Sequence, residues 1–223
     1  MNEIYLASKS PRRKILLEQI NVEFEIIDSE IDESLNKNEK PLHYVRRMSI
    51  EKARAGWLLN RRLLKQRSNQ KLKDYPVLAA DTSIAIDSRV LGKPENRHDA
   101  YQMLTELSGK THQVITCVSV IYTQMNLRDR NITDRNNLNR AFIDGKYDVK
   151  IETIDSITNV SFMKLEKIDI ERYLETDEWQ GKAGSYAIQG YVAKYITSIE
   201  GSYSGVVGLP LYETSQLLKK ISY

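Results

Sequence analysis

The sequence predicts an α/β fold: a mixed, twisted sheet with helices packed around it. Three observations point there. Short apolar, β-rich runs alternate with stretches whose apolar residues recur at helical spacing along most of the 223 residues. The apolar share, 41%, suffices for a core at a length near the upper end of what one core serves, so one domain or two closely joined lobes is expected. Six of the ten glycines fall between Gly181 and Gly208, which marks a C-terminal segment of unusual backbone.

The elements follow in order. Residues 4–7 form a short apolar strand, and Ser10-Pro11 supplies an N-cap and N1 pair for a helix to Ile20 with Leu16, Leu17 and Ile20 on its apolar face. Val22, Phe24 and Ile26 alternate with glutamates, as in a half-exposed strand. A long helix runs from about Pro41 past Trp57, with Leu42, Val45, Met48, Ala53 and Leu59 at roughly helical spacing. Residues 77–80 are a small-residue strand ending at Asp81, and β character resumes over 83–87. His98-Asp99 precedes a helix striped by Ala100, Met103, Leu104 and Leu107 and closed by Ser108-Gly109. A β-rich run covers 114–122, and Val160-Ser161-Phe162 opens another. The 124–150 stretch is poor in periodic apolar residues and holds five Asn, so most of it reads as a polar excursion. A helix over about 169–175, the glycine-broken stretch and a last helix from Leu211 complete the chain.

Charge is nearly balanced, 33 Lys+Arg against 30 Asp+Glu, for a formal +3, yet unevenly spread. Residues 46–73 hold ten Lys/Arg and one acid, Glu51, whereas 29–33 is acidic. No apolar run approaches the ~20 residues that span a bilayer, and no N-terminal apolar leader is present, so a soluble, cytoplasmic protein is expected. One cysteine, Cys117, permits no internal disulfide and makes a structural zinc site untenable. A basic stretch with Trp57 as its one interleaved aromatic is a poor single-strand track, which disfavours nucleic acid as the main partner.

Ser8-Lys9-Ser10-Pro11-Arg12-Arg13 carries the strongest chemical signal. Free N–H groups of a helix start, hydroxyls and two guanidiniums suit an anion, and two cations there oppose the helix dipole unless an anion arrives. The plainer alternative is a capped helix with surface ion pairs. Asp81 ends a small-residue strand, and ligands of open α/β sheets collect at strand carboxyl ends, where a carboxylate holds a metal or deprotonates water. It equally suits a turn start. Lys93, in Gly92-Lys93-Pro94, meets a phosphate or sits in an ordinary loop; Lys52, beside the long helix's apolar stripe, faces a cleft or snorkels. Glu33 is a metal ligand or a solvated loop carboxylate. Gln189 offers the donor and acceptor that base reading needs, or satisfies backbone in a glycine turn. Neither a Walker loop nor a Rossmann fingerprint occurs.

Taken together and in order, the 6–13 segment, Glu51-Lys52-Ala53, Ala80-Asp81-Thr82, Lys93-Pro94, the LSGKTH run at 107–112, the AGSYAIQG run at 183–190 and Val207-Gly208-Leu209-Pro210 resemble the Maf family of nucleoside triphosphate pyrophosphatases. The resemblance covers about residues 6–218. It implies a two-lobed α/β fold with a central cleft, similar to inosine triphosphate pyrophosphatase, and metal-dependent hydrolysis of a nucleoside triphosphate to its monophosphate and pyrophosphate. Carried over, Asp81 is the proton acceptor, Ser8, Arg13, Lys52 and Lys93 hold phosphates, and Glu33 assists Asp81 with Mg2+ or Mn2+. Arg12, Thr82 and Gln189 mark the dTTP/UTP branch rather than the 7-methyl-GTP branch, and modified pyrimidine nucleotides stay open as substrates. A homodimer, a division-regulating role and accessory binding by the basic 60–75 segment also stay open.

Overall fold

β1 (Glu3–Leu6) is buried over its last three residues and turns through 7–10 into α1 (Pro11–Gln19). The computed structural model describes residues 3–28, 30–66, 75–125 and 147–221. Pro11 opens α1, where its missing N–H costs nothing; Ser10 occupies the cap position, but its hydroxyl makes no capping bond. β2 (Glu23–Ile26) runs parallel to β1 on one side, and β3 (Val77–Ile86) runs parallel to it on the other. Parallel neighbours need crossovers, which α1 and α2 (Pro41–Gln66) supply. From β3 onward the sheet is antiparallel: β4 (Arg89–Leu91) folds back on β3, and α3 (Arg97–Leu107) leads to β5 (Thr111–Met125) and β6 (Tyr147–Phe162). α4 (Lys167–Leu174), β7 (Ile196–Glu200), α5 (Tyr203–Val207) and α6 (Leu211–Ile221) follow. Strand order is β2-β1-β3-β5-β6-β7, with β4 beside β3.

Strand alternation divides the core. Ile4, Leu6, Leu78 and Ala80 face the apolar sides of α1, α3, α4 and α6, represented by Leu17, Leu104, Leu174 and Leu217. Tyr5, Ala7, Val77 and Ala79 face α2 through Ala53 and Trp57. A sheet covered on both faces reads as a continuous apolar run, which explains residues 77–80. α2 comes closest at Gly56, where a Cβ would sit 2.9 Å from that of Ala7 and 3.1 Å from Val77 Cγ1.

Three expectations change. β3 does not end at Asp81; it continues to Ile86, so Asp81 lies mid-strand opposite Cys117. Val160-Ser161-Phe162 closes β6 rather than opening a strand, because the earlier half of β6 alternates apolar residues with Asp148, Lys150 and Glu152 and is half exposed. The polar excursion is correspondingly narrower: β5 runs to Met125 and β6 starts at Tyr147, and residues 126–146 lie outside the described residues. Of the basic 60–75 segment, 60–66 extend α2 and 67–74 lie outside the described residues.

One irregularity of the sheet builds the site. β5 pairs with one edge of β3 from Val77 to Ala85. The opposite edge is taken by β1 at Val77 and Leu78, then by β4 from Ile84. Residues 79–83 therefore have no strand partner on that side among the described residues, and the sheet carries a notch between the end of β1 and β4.

Candidate active site

A cleft of about 890 Å³ enters this notch. The turn after β1 brings Ser8, the first turn of α1 brings Arg12 and Arg13, mid-β3 brings Asp81 and Thr82, and the loop after β4 brings Lys93. Successive residues of a strand point to opposite faces, so a notch is what lets both Asp81 and Thr82 line one cleft. Asp81 faces α2, where Lys52 Nζ lies 2.6 Å from its Oδ1. Thr82 faces α1 and α5.

On the α2 side the charges form a chain. Lys52 also reaches Glu33 Oε1 at 2.6 Å, and Glu33 Oε2 accepts from Lys93 Nζ at 3.2 Å. Burial raises the Glu33 carboxyl, but its bonds to Lys52 and Lys93 outweigh that and hold it below the usual carboxylate value. The acidic loop that carries Glu33 is tied to α2: Tyr44 Oη donates to Glu33 O at 2.9 Å, and Arg47 Nη2 donates to Ser34 O at 2.9 Å while pairing with Glu39 at 2.7 Å. Burial, with Asp81 and Glu33 nearby, pushes the Tyr44 phenol up to about 12, so it remains a donor at neutral pH.

On the α1 side Arg13 is held by uncharged acceptors. Nε donates to Gly208 O at 2.9 Å, Nη1 to Ser8 Oγ at 3.2 Å and Nη2 to Thr82 Oγ1 at 3.3 Å. Ser8 Oγ also accepts from Ser10 N at 3.2 Å, which leaves its own proton available to the cleft. Gly208 sits at φ +130°, a conformation that suits glycine, and so turns its carbonyl toward Arg13. Burial lowers the Arg13 and Arg12 guanidiniums from their usual value, yet guanidinium stays charged at neutral pH. The cleft is lined by six cations, Lys9, Arg12, Arg13, Lys52, Lys93 and Lys182, and four carboxylates, Asp28, Glu30, Glu33 and Asp81; Lys9 is taken up by Asp28 and Glu30, which leaves the other five cations facing Asp81 and Glu33. Such a surplus in a half-buried space suits a polyanion.

A family model described as Maf-like protein matches residues 3–221. The chain belongs to the Maf-like family. Curated relatives match over nearly their whole length: it is 42% identical to the dTTP/UTP pyrophosphatase of Alkalilimnicola ehrlichii over 96% of this chain and 91% of the relative. It is also 42% identical to that of Pseudoalteromonas atlantica, over 98% and 97%, and 41% identical to that of Chromobacterium violaceum, over 99% and 95%.

Within this Maf-like chain the cleft brings together Ser8, Arg12, Arg13, Glu33, Lys52, Asp81, Thr82 and Lys93, every proposed site residue except Gln189. Gln189 is exposed beyond the lining, next to Gly190 in the turn against Glu178. Arg46 and Arg47, from the basic stretch, are committed to Asp155 and Glu39. Three residues to which the sequence assigns no role of their own lie at or behind the cleft. Lys182 lines the cleft half-buried, its ammonium lowered by burial and by Arg12. Tyr186 forms part of the wall, its hydroxyl 2.7 Å from His112 Nε2, and burial lowers that imidazole to about 4, so it is neutral at pH 7. Thr116, on β5, lies behind the site, bonded to Thr82 and to Gly205 O.

Proposed function

We propose that the protein hydrolyses dTTP and UTP to the monophosphate and pyrophosphate, in a two-lobed single domain whose cleft seats the triphosphate. The supporting observation is one carboxylate, Asp81, within 2.6 Å of a lysine and facing a cleft otherwise rich in cations. A triphosphate carries about four negative charges near neutral pH, and charge of that density calls for several Lys/Arg at short range. Ser8, Arg13, Lys52 and Lys93 bind its oxygens. Asp81 takes a proton from a water directed at the α-phosphorus; an O–P bond forms, the α–β anhydride bond breaks, and pyrophosphate leaves with charge spread over the surrounding cations.

A divalent ion fits this donor set. Among the described residues no group of three or more His, Cys, Asp or Glu gathers to hold a metal. Glu33 and Asp81 instead share one ammonium, so they are close enough to share a cation. Two carboxylates plus substrate phosphates is the coordination Mg2+ favours, and Mn2+ follows the same pattern. Bound there, the ion would polarise the phosphoryl oxygens and offset leaving-group charge.

Base selection is assigned, with the names of the relatives, to the Arg12, Thr82 and Gln189 set; an uncharged amide matches the imide edge of uracil or thymine, one donor flanked by two acceptors. A cytoplasmic setting goes with this reading, and nucleic acid is no partner in it. Among the described residues no helix is long and apolar enough to cross a membrane. The test is a product assay with a panel of canonical and modified triphosphates and Mg2+ or Mn2+. Pyrophosphate with UMP or dTMP, and weak turnover of purine nucleotides, is expected. Orthophosphate release, or a preference for 7-methyl-GTP, would overturn the bond or the branch.

A further inference from the structure

Arg13 owes its position to a residue that no motif contains. We infer that Thr116 is a positioning residue for Arg13, acting through a directed hydroxyl chain; the inference rests on the reading that Arg13 binds phosphate. Thr116 Oγ1 donates to Gly205 O at 2.8 Å, and a carbonyl can only accept, so its single proton is committed there. The Thr82–Thr116 hydroxyl bond, 2.9 Å, therefore has Thr82 as its donor. Thr82 Oγ1 then meets Arg13 Nη2 as an acceptor, at 3.3 Å. The order of protons, Arg13 to Thr82 to Thr116 to Gly205, is fixed throughout.

The same hydroxyl reaches Arg13 by a second path. Gly205 belongs to α5, whose C-cap residue Gly208 accepts from Arg13 Nε at 2.9 Å. By anchoring α5 to β5, Thr116 sets where that carbonyl lies. At its start α5 is also held to β6, where Thr158 Oγ1 accepts from Ser202 N at 2.9 Å, and Ser202 Oγ caps Gly205 N at 3.0 Å; Val207 packs in the core. Two of the three acceptors of Arg13 are thus bonded to, or carried by an element bonded to, one side chain that is 1% exposed and cannot touch the substrate. Its burial also means that water cannot replace it. The design has a chemical logic: an arginine fixed by neutral acceptors keeps its full charge for phosphate, whereas one fixed by carboxylates would not.

Inorganic tripolyphosphate probes phosphate binding without a base, and its inhibition constant is to be measured beside KM and kcat for dTTP and UTP. Thr116→Val is expected to raise KM for both nucleotides and weaken tripolyphosphate inhibition by a common factor of about tenfold, with kcat little changed. Thr116→Ser, which keeps the hydroxyl, is expected to restore both constants. Thr82→Val removes the Arg13 acceptor without touching Gly205, and a rise of roughly threefold to tenfold in the same constants is expected; it carries the test should Thr116→Val not fold. Unchanged tripolyphosphate inhibition in both valine variants, with Arg13→Ala impaired, would overturn the positioning role while leaving the phosphate reading intact. Unchanged inhibition in Arg13→Ala would overturn the phosphate reading of Arg13, and the inference with it.

Discussion

On the α1 wall of the cleft, Arg13 is fixed by two hydroxyls and a carbonyl; on the α2 wall, Lys52 is fixed by two carboxylates. Without a ligand the first wall keeps its positive charge and the second has neutralised it. The difference separates two jobs. A cation held by neutral groups is prepared to receive phosphate with no rearrangement, whereas a cation held by acids must exchange partners when substrate arrives. Lys52 and Asp81, only 14% and 12% exposed at the side chain, are the more costly pair to leave half broken, so under the proposed function the exchange would couple substrate entry to freeing the Asp81 carboxylate.

Substitutions can break this comparison or sharpen it. The largest effect is expected at Asp81: Asp81→Asn keeps shape but not basicity and is expected to lower kcat by ~10²–10⁴-fold with KM little changed. Near-normal turnover would remove the α2 wall from the chemistry. Arg13→Ala is next, with KM raised ~10–100-fold as charge-assisted bonds to phosphate are lost. Lys93→Ala should cost only about twofold to fivefold in KM, since Lys93 is 62% exposed and its charge is screened. Equal losses at Arg13 and Lys93 would erase the distinction between the walls.

Acid offers a finer test of the same contrast. The Glu33 carboxyl is held below the usual value by Lys52 and Lys93, so its pairing is complete at neutral pH and is lost only as pH falls through that lowered pKa. Protonation there releases Lys93 and leaves Lys52 with Asp81 alone on the α2 wall, and it frees no cation on the α1 wall. Metal-free tripolyphosphate is therefore expected to bind a few-fold tighter below the ordinary carboxylate range, and Glu33→Gln is expected to bring that tighter binding to pH 7, as seen by calorimetry. An unchanged affinity in Glu33→Gln would show that the carboxylate does not restrain the lysines.

Much of the fold and most of the site could be read from local patterns. Pro11 after Ser10, the apolar stripe of α2 and the 77–80 run each report their own surroundings, and a residue that is buried or helical for local reasons shows it in sequence. Asp81 does line the cleft, but not because a strand ends there. The strand end that opens the cleft is that of β1, not β3, and a notch made by pairing choices of β1 and β4 leaves no local trace. The start of β6 was missed because its alternation includes charged residues on a half-exposed face. Thr116 was beyond reach: its partners lie 34 and 89 residues away, and a lone threonine in a β-rich run looks like any other. Lys182 reads as an ordinary loop cation until the fold places it beside Arg12.

The most direct test of the chemistry assigned to Asp81 is to run the reaction in ¹⁸O-labelled water with UTP and to locate the label by mass spectrometry. Attack at the α-phosphorus puts one ¹⁸O in UMP and none in the pyrophosphate. Label in the pyrophosphate would mean attack at the β-phosphorus, and would contradict the placement of the nucleophile beside Asp81.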